Sequence, residues 1–161
     1  DVLRLYPDPD ASELKQAIAK QQSVPVEQVF VGNGSDEVLA HIFKAFFVQE
    51  LPLLYPDITY SFYPVYSQFF GVETKVLPLN DDFEIVVDDY KQPNGGIIIT
   101  NPNAPTSIAL GLSAIEEVLQ ANPNSVVVID EAYVDFGAES AVALVEKYDN
   151  LVVCQTMSKS R

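Results

Sequence analysis

Three apolar runs constrain this fold more than any other feature: Ile97-Ile98-Ile99, Val126-Val127-Val128-Ile129 and Leu151-Val152-Val153. None of them alternates with polar residues. A strand of that kind is buried on both faces, which is the condition inside a parallel sheet covered by helices. Helical stretches at 112–121 and 139–147 fall between the runs. The same alternation extends upstream. A helix is expected at 11–21 after the Pro7-Asp8-Pro9-Asp10 turn, a short strand at Val29–Val31, and a helix capped by Ser35 running to about Val48. A strand at Leu51–Tyr55, an aromatic-rich helix at 60–70 ended by Gly71, a strand at Val72–Leu77 and a short one at Phe83–Val87 follow. The pattern predicts an α/β fold of three layers, α/β/α, with a mostly parallel sheet.

The 161 residues suffice for one domain with a sizeable core, and 48% hydrophobic content is too high for a disordered chain. Nine basic residues against 23 acidic ones give a formal charge of −14, the wrong sign for a nucleic-acid partner. A single cysteine, Cys154, has no internal disulfide partner and sits in an apolar strand as a buried, inert thiol. The single histidine, His41, lies in a helix, and no transition-metal cluster or EF-hand spacing is present. No apolar run is long enough to span a membrane, and the opening Asp1-Val2-Leu3-Arg4 lacks signal-peptide character. The cytoplasm is the expected compartment.

Ligands of open α/β sheets bind beyond the carboxyl ends of the strands. Here those ends carry Asn101, Asp130 and the segment Thr156-Met157-Ser158-Lys159, all directed to one rim. A carboxylate and a lysine in those places suit pyridoxal phosphate, an electron-sink cofactor held by a Schiff base. Lys159 is the candidate for that bond. Its amine, once displaced, can move a proton between the substrate α-carbon and cofactor C4′. Asp130 can accept from a protonated pyridine nitrogen, with magnesium ligation and a purely structural carboxylate as the other readings. Tyr133 can donate to the cofactor phenolate oxygen, and Thr156 and Ser158 can bind its phosphate. Gly32-Asn33-Gly34-Ser35-Asp36-Glu37 reads either as a simple helix cap or as a phosphate cradle of free N–H groups. The turn Asn101-Pro102-Asn103-Ala104-Pro105-Thr106 offers two amides, and its cis candidate is Pro105. Arg161 is given no catalytic role.

Six segments together carry a resemblance: Leu5-Tyr6-Pro7-Asp8-Pro9, Gly32-Asn33-Gly34-Ser35-Asp36-Glu37, Thr59-Tyr60-Ser61-Phe62-Tyr63, Asn101-Pro102-Asn103-Ala104-Pro105-Thr106, Asp130-Glu131-Ala132-Tyr133 and Thr156-Met157-Ser158-Lys159. In order and spacing they resemble the histidinol-phosphate aminotransferases, a fold-type I, class II family dependent on pyridoxal phosphate. The resemblance implies that Lys159 carries the cofactor, Asp130 meets its pyridine nitrogen and Tyr133 its O3′. It implies a phosphate site made by the Ser35 and Asp36 backbone with the Thr156 and Ser158 side chains. Tyr60 resembles the ring-stacking aromatic, with Tyr63 as second choice. Tyr6 resembles a tyrosine that reaches the neighbouring active site, which implies a homodimer.

Two positions depart from the family turn, Asn-Pro-Asn-Asn-Pro-Thr-Gly. Ala104 replaces the asparagine that bonds to O3′, so either Asn103 substitutes or Tyr133 acts alone. Ser107 replaces the last glycine, which puts a left-handed backbone there in doubt. Family members are also much longer. Residues 1–161 are expected to be a partial large cofactor-binding domain, without the N-terminal arm, the rest of the large domain and the small C-terminal domain, and inactive by itself. The implied reaction moves an amino group between L-histidinol phosphate and 2-oxoglutarate in histidine biosynthesis. The alternatives are an aromatic-amino-acid aminotransferase, a lyase similar to threonine-phosphate decarboxylase, and a noncatalytic fragment.

Overall fold

The computed structural model describes residues 4–160, so Arg161 lies outside the described residues. The chain divides into two compact units, residues 1–33 and 34–161. The first holds α1 (Ser12–Gln22) and a 3-10 turn at Val26–Gln28. Asp8 starts α1: its carboxylate accepts from Asp10 N at 3.1 Å and Ser12 N at 2.7 Å, and these backbone donors hold its carboxyl below the usual range. The strand expected at Val29–Val31 does not form. Val29 is extended, but this segment joins no ladder.

The second unit is built on a five-stranded sheet, entirely parallel, in the order β2-β1-β3-β4-β5. Its strands are β1 (Leu53–Pro56), β2 (Thr74–Leu77), β3 (Gly96–Thr100), β4 (Val127–Asp130) and β5 (Leu151–Cys154). Side chains on a strand point alternately to the two faces, and here both faces are apolar and covered. One face sends Leu54, Ile97, Ile99, Val127 and Ile129 against Ile115, Val118 and Leu119 of α4 (Leu112–Ala121). The other sends Leu53, Tyr55, Ile98, Val128 and Cys154 against α2 (Ser35–Ile42) and α3 (Tyr63–Phe70). The expected three-layer α/β arrangement is therefore the observed one.

Three further expected elements differ, each for a local reason. The helix from Ser35 is α-helical only to Ile42; Phe43–Phe47 widens into a π-helical turn that stacks the buried Phe43 and Phe47 rings edge to face, 5.1 Å apart. Ser35 is the first helical residue rather than the cap, which is Gly34 at φ 82°, with no side-chain cap bond. No strand forms at Phe83–Val87, because the Asn80 carboxamide oxygen accepts from Asp82 N and Glu84 N and closes a turn with Phe83 at φ 62°. The helix expected at 139–147 is reduced to a 3-10 turn at Ala141–Leu144, whose start is held by the buried Glu131 carboxylate through Ala141 N and Ser140 Oγ.

The amino-terminal end of the sheet is pinned by buried amides that the sequence pattern gave no sign of. Asn94 Nδ2 donates to Asn122 Oδ1 at 2.7 Å, while Asn94 Oδ1 accepts from Gly96 N at the start of β3. Asn122 in turn donates to the carbonyls of Tyr90 and Val118, and Asn150 donates to the Asn122 carbonyl. The opposite, carboxyl end of the strands is left to chemistry.

Candidate active site

The chain runs from β1 outward to β2, then returns to the other side of β1 to lay down β3, β4 and β5. The sheet order therefore reverses between β1 and β3, and the crevice beyond their carboxyl ends is where ligands of such sheets bind. Thr59, just past β1, and Thr100, last in β3, meet across that crevice with hydroxyl oxygens 3.1 Å apart. Register places Thr100 beside Asp130, and Asp130 beside Cys154.

Asp130 is 2% exposed. Its Oδ2 accepts from the Tyr63 hydroxyl at 2.8 Å and its Oδ1 from Ala132 N at 3.2 Å. Burial pushes its carboxyl above the ordinary value, against the pull of these two donors, and the negative charges of Asp36 and Glu131 add to the rise. A carboxylate has room for a further donor after two such bonds. A cation placed there would be held strongly, and Asp130 is fitted to receive the protonated nitrogen of a heteroaromatic ring.

Tyr63 is not a ring-stacking residue. It is completely buried, packed 6.0 Å from the Tyr55 ring and 6.1 Å from Phe43, with its hydroxyl committed to Asp130 and Thr100. Tyr60 is the aromatic that remains half-exposed. It lies ahead of α3 rather than in it, because the helix starts at Tyr63 with Pro64 in its first turn, where the missing N–H costs nothing. Its hydroxyl donates to Asp36 Oδ1 at 3.0 Å, and burial followed by this bond raises the phenol to about 12. Asp36 sits in the first turn of α2, where the N–H groups receive no side-chain cap. Those groups favour an anion.

Lys159 lies past β5 with its side chain exposed, Nζ 5.4 Å above the Tyr133 ring centre. Thr156 and Ser158 are brought together, their hydroxyl oxygens 2.9 Å apart. Ser160 Oγ donates to Asp135 Oδ2 at 2.5 Å and ties this tail to the loop after β4. Cys154 is buried and its thiol is pushed up, first by burial and then by Asp130, as an inert thiol should be.

The Asn101 side chain only clamps the turn: it bonds both ways to the Leu110 backbone, at 2.7 and 3.0 Å. Asn103 is buried and gives its amide hydrogens to the Ile58 carbonyl at 2.8 Å and Thr106 Oγ1 at 3.1 Å, leaving Oδ1 without a partner. It offers an acceptor, not the donor that a phenolate oxygen needs. The cis bond of this turn is Asn101–Pro102, not the one before Pro105, and Ser107 does adopt the left-handed backbone at φ 60°. Tyr6 lies fully exposed in the first unit.

Thr59, Thr100 and the role of Tyr63 were missed at the level of sequence. The signal was present for Thr100, since it closes an apolar strand in the same way as Asp130. Among the described residues no group of three or more His, Cys, Asp or Glu is placed to hold a metal ion, and no helix is long and apolar enough to cross a membrane.

The profile of the family described as aminotransferase class I and II matches residues 1–161. This chain belongs to that family. The cofactor of the family is pyridoxal phosphate, and the residues fit it: a buried carboxylate for the ring nitrogen, an uncapped helix start for the phosphate and an exposed lysine at the strand rim. Over all 161 residues the chain is 80% identical to histidinol-phosphate aminotransferase of Acinetobacter baumannii, covering 45% of that protein. It spans about half the length of the curated relatives it matches. The crystal structure of histidinol-phosphate aminotransferase from Clostridium acetobutylicum shares the fold, with TM-score 0.88 at 23% identity over 98% of this chain and 48% of that one. L-threonine-O-3-phosphate decarboxylase from Porphyromonas gingivalis matches with TM-score 0.82 at 27% identity, over 97% of this chain and 47% of that one.

Proposed function

We propose that the protein containing this chain transfers an amino group between L-histidinol phosphate and 2-oxoglutarate in histidine biosynthesis, with residues 1–161 as part of its large cofactor-binding domain. The observation that carries the reading is the 80% identity, over all 161 residues, to a histidinol-phosphate aminotransferase. Pyridoxal phosphate, when bound, supplies a sink for the electron pair left on the substrate α-carbon. Asp130 holds the ring nitrogen protonated. Tyr60 covers one face of the ring, and Tyr133 donates to its O3′. The N–H groups at Ser35 and Asp36, with the Thr156 and Ser158 hydroxyls, hold the phosphate. Lys159 Nζ anchors the cofactor and, once the substrate amine takes its place, moves the α-carbon proton. The exposed Tyr6 is assigned to the site of a second subunit, in a cytoplasmic homodimer.

The test is borohydride reduction of the full-length protein with pyridoxal phosphate, followed by peptide mapping and an assay of glutamate formed from L-histidinol phosphate and 2-oxoglutarate. The adduct is expected on Lys159, with glutamate formation lost in K159A. An adduct elsewhere would sink the mechanism. The likeness to the threonine-phosphate decarboxylase supports one second reading, a lyase. That enzyme would release carbon dioxide from L-threonine O-3-phosphate without 2-oxoglutarate, and the same preparation separates the two.

A further inference from the structure

A chain of hydroxyls runs from the crevice to the buried carboxylate. Thr59 Oγ1 lies 3.1 Å from Thr100 Oγ1, which lies 2.8 Å from the Tyr63 hydroxyl, which donates to Asp130 Oδ2 at 2.8 Å. Thr59 is half-buried; Thr100 and Tyr63 are 3% and 0% exposed. An ionised carboxylate only accepts, so the single Tyr63 proton must point at Asp130. Thr100 must then donate to the Tyr63 oxygen, and Thr59 to the Thr100 oxygen. The proton order is fixed along the whole chain, and each bond polarises the next. A phenylalanine would fill the same space at position 63, so packing alone does not require the hydroxyl, and a buried hydroxyl is costly unless bonded. Of the ionisable neighbours of Asp130, the Asp36 and Glu131 carboxylates oppose its charge, while Tyr60, Tyr66 and Cys154 are acids pushed up in its presence and stay neutral. The Tyr63 hydroxyl and Ala132 N are the groups that act the other way.

We propose that Tyr63, backed by Thr100 and Thr59, is a positioning residue that keeps Asp130 ionised and aimed at the cofactor ring nitrogen. This rests on the pyridoxal phosphate reading above. Tyr63 reaches no substrate and acts only through Asp130. The chain also explains why an aspartate can serve from a fully apolar strand: its charge is supported from behind by hydroxyls, and its open side is left to the ligand.

The experiment uses the full-length protein as parent, Y63F, T100V and T100S. In the cofactor-free form the Asp130 carboxyl is titrated by carbon-13 NMR. In the loaded form, the nitrogen-15 shift of ring-labelled pyridoxal phosphate reports protonation of the ring nitrogen, and kcat and KM are measured beside it. In Y63F, Asp130 is expected to keep its proton to higher pH, and the ring nitrogen to move toward its unprotonated shift. The kcat should fall on the order of tenfold to a hundredfold, the worth of one hydrogen bond to a charged group, with KM little changed. T100V should move all three readouts in the same direction and less far, and T100S should match the parent. A Y63F protein with the parent titration and the parent nitrogen shift would overturn the proposal. If Y63F does not fold, the T100V and T100S pair decides, and identical behaviour of those two overturns it. A parent that takes no cofactor at Lys159 defeats the functional reading instead, while the carboxyl titration still tests the hydroxyl chain.

Discussion

Tyr60 and Tyr66 grip Asp36 from the same side, Tyr60 through the carboxylate at 3.0 Å and Tyr66 through the backbone oxygen at 2.9 Å. Two rings of the aromatic segment thereby hold the first turn of α2, whose N–H groups are the proposed phosphate cradle. Desolvation and this bond lift the Tyr60 phenol from 10.0 to about 12. Such a group keeps its proton in the fold after the unfolded chain has lost it. Its contribution to stability is present below pH 10 and declines as pH rises toward 12. The difference between parent and Y60F tyrosinate absorbance should therefore titrate near 12. A difference curve centred at the ordinary tyrosine value would mean that the phenol is neither desolvated nor bonded to Asp36 as described.

Asp130 is raised in the same direction, but its charged form is the one the chemistry needs. Burial raises its carboxyl, so the cofactor-free fold is disfavoured by ionisation at neutral pH and relieved as pH falls toward the ordinary value of 3.8. In D130N the amide can donate back to the Tyr63 oxygen while its own oxygen still accepts from Ala132 N, with the hydroxyl chain reversed. The cofactor-free variant should be at least as stable as the parent at neutral pH, to within about 1 kcal/mol. Any advantage should shrink on acidification. Chemical denaturation at two pH values checks this. A D130N loss of several kcal/mol at neutral pH would contradict it.

Gly96 opens β3 at φ 147°, a conformation L side chains rarely adopt, and a Cβ there would sit 2.5 Å from two carbons of the Phe47 ring. Phe47 is itself fully buried in the π-helical turn, so it has nowhere to yield. G96A should cost about 2–4 kcal/mol through overpacking and backbone strain. G111A, with nothing within 4 Å of the added methyl, should stay within about 1 kcal/mol of the parent. Urea midpoints of the two variants make the comparison, and equal midpoints would refute the packing account.

Much of this could be read from the sequence because the signal was physical and local. Ile97-Ile98-Ile99, short, β-branched and without alternation, reads as a strand covered on both faces, and the helix over Leu112–Ala121 was expected with its observed bounds. Lys159, Asp130 and Tyr133 stood out by their place just beyond strands. What escaped depends on individual side-chain bonds that hydrophobic periodicity does not show, some of them to distant partners. Asn80 draws the chain into a turn where Phe83–Val87 reads as a strand, and Glu131 holds Ser140 and Ala141 where a helix was expected. Tyr63 reads as one aromatic among several until Asp130, 67 residues away, is found against its hydroxyl.

Ser107 shows that a residue can depart from a family turn while the backbone does not. It stands at φ 60°, its N–H bonded to the Asn103 carbonyl at 2.7 Å, in the conformation that a glycine would adopt freely. The left-handed region costs an L residue roughly 1–2 kcal/mol, while glycine adds back part of that as unfolded-chain entropy. S107G should therefore stabilise the protein by about 0.5–1 kcal/mol, raising the urea midpoint with an unchanged slope. The turn would keep its shape, so Asn103 Oδ1 would stay unpartnered within the protein and pyridoxal phosphate affinity should match the parent. A destabilised S107G would mean that the Ser107 side chain contributes a contact worth more than its backbone strain.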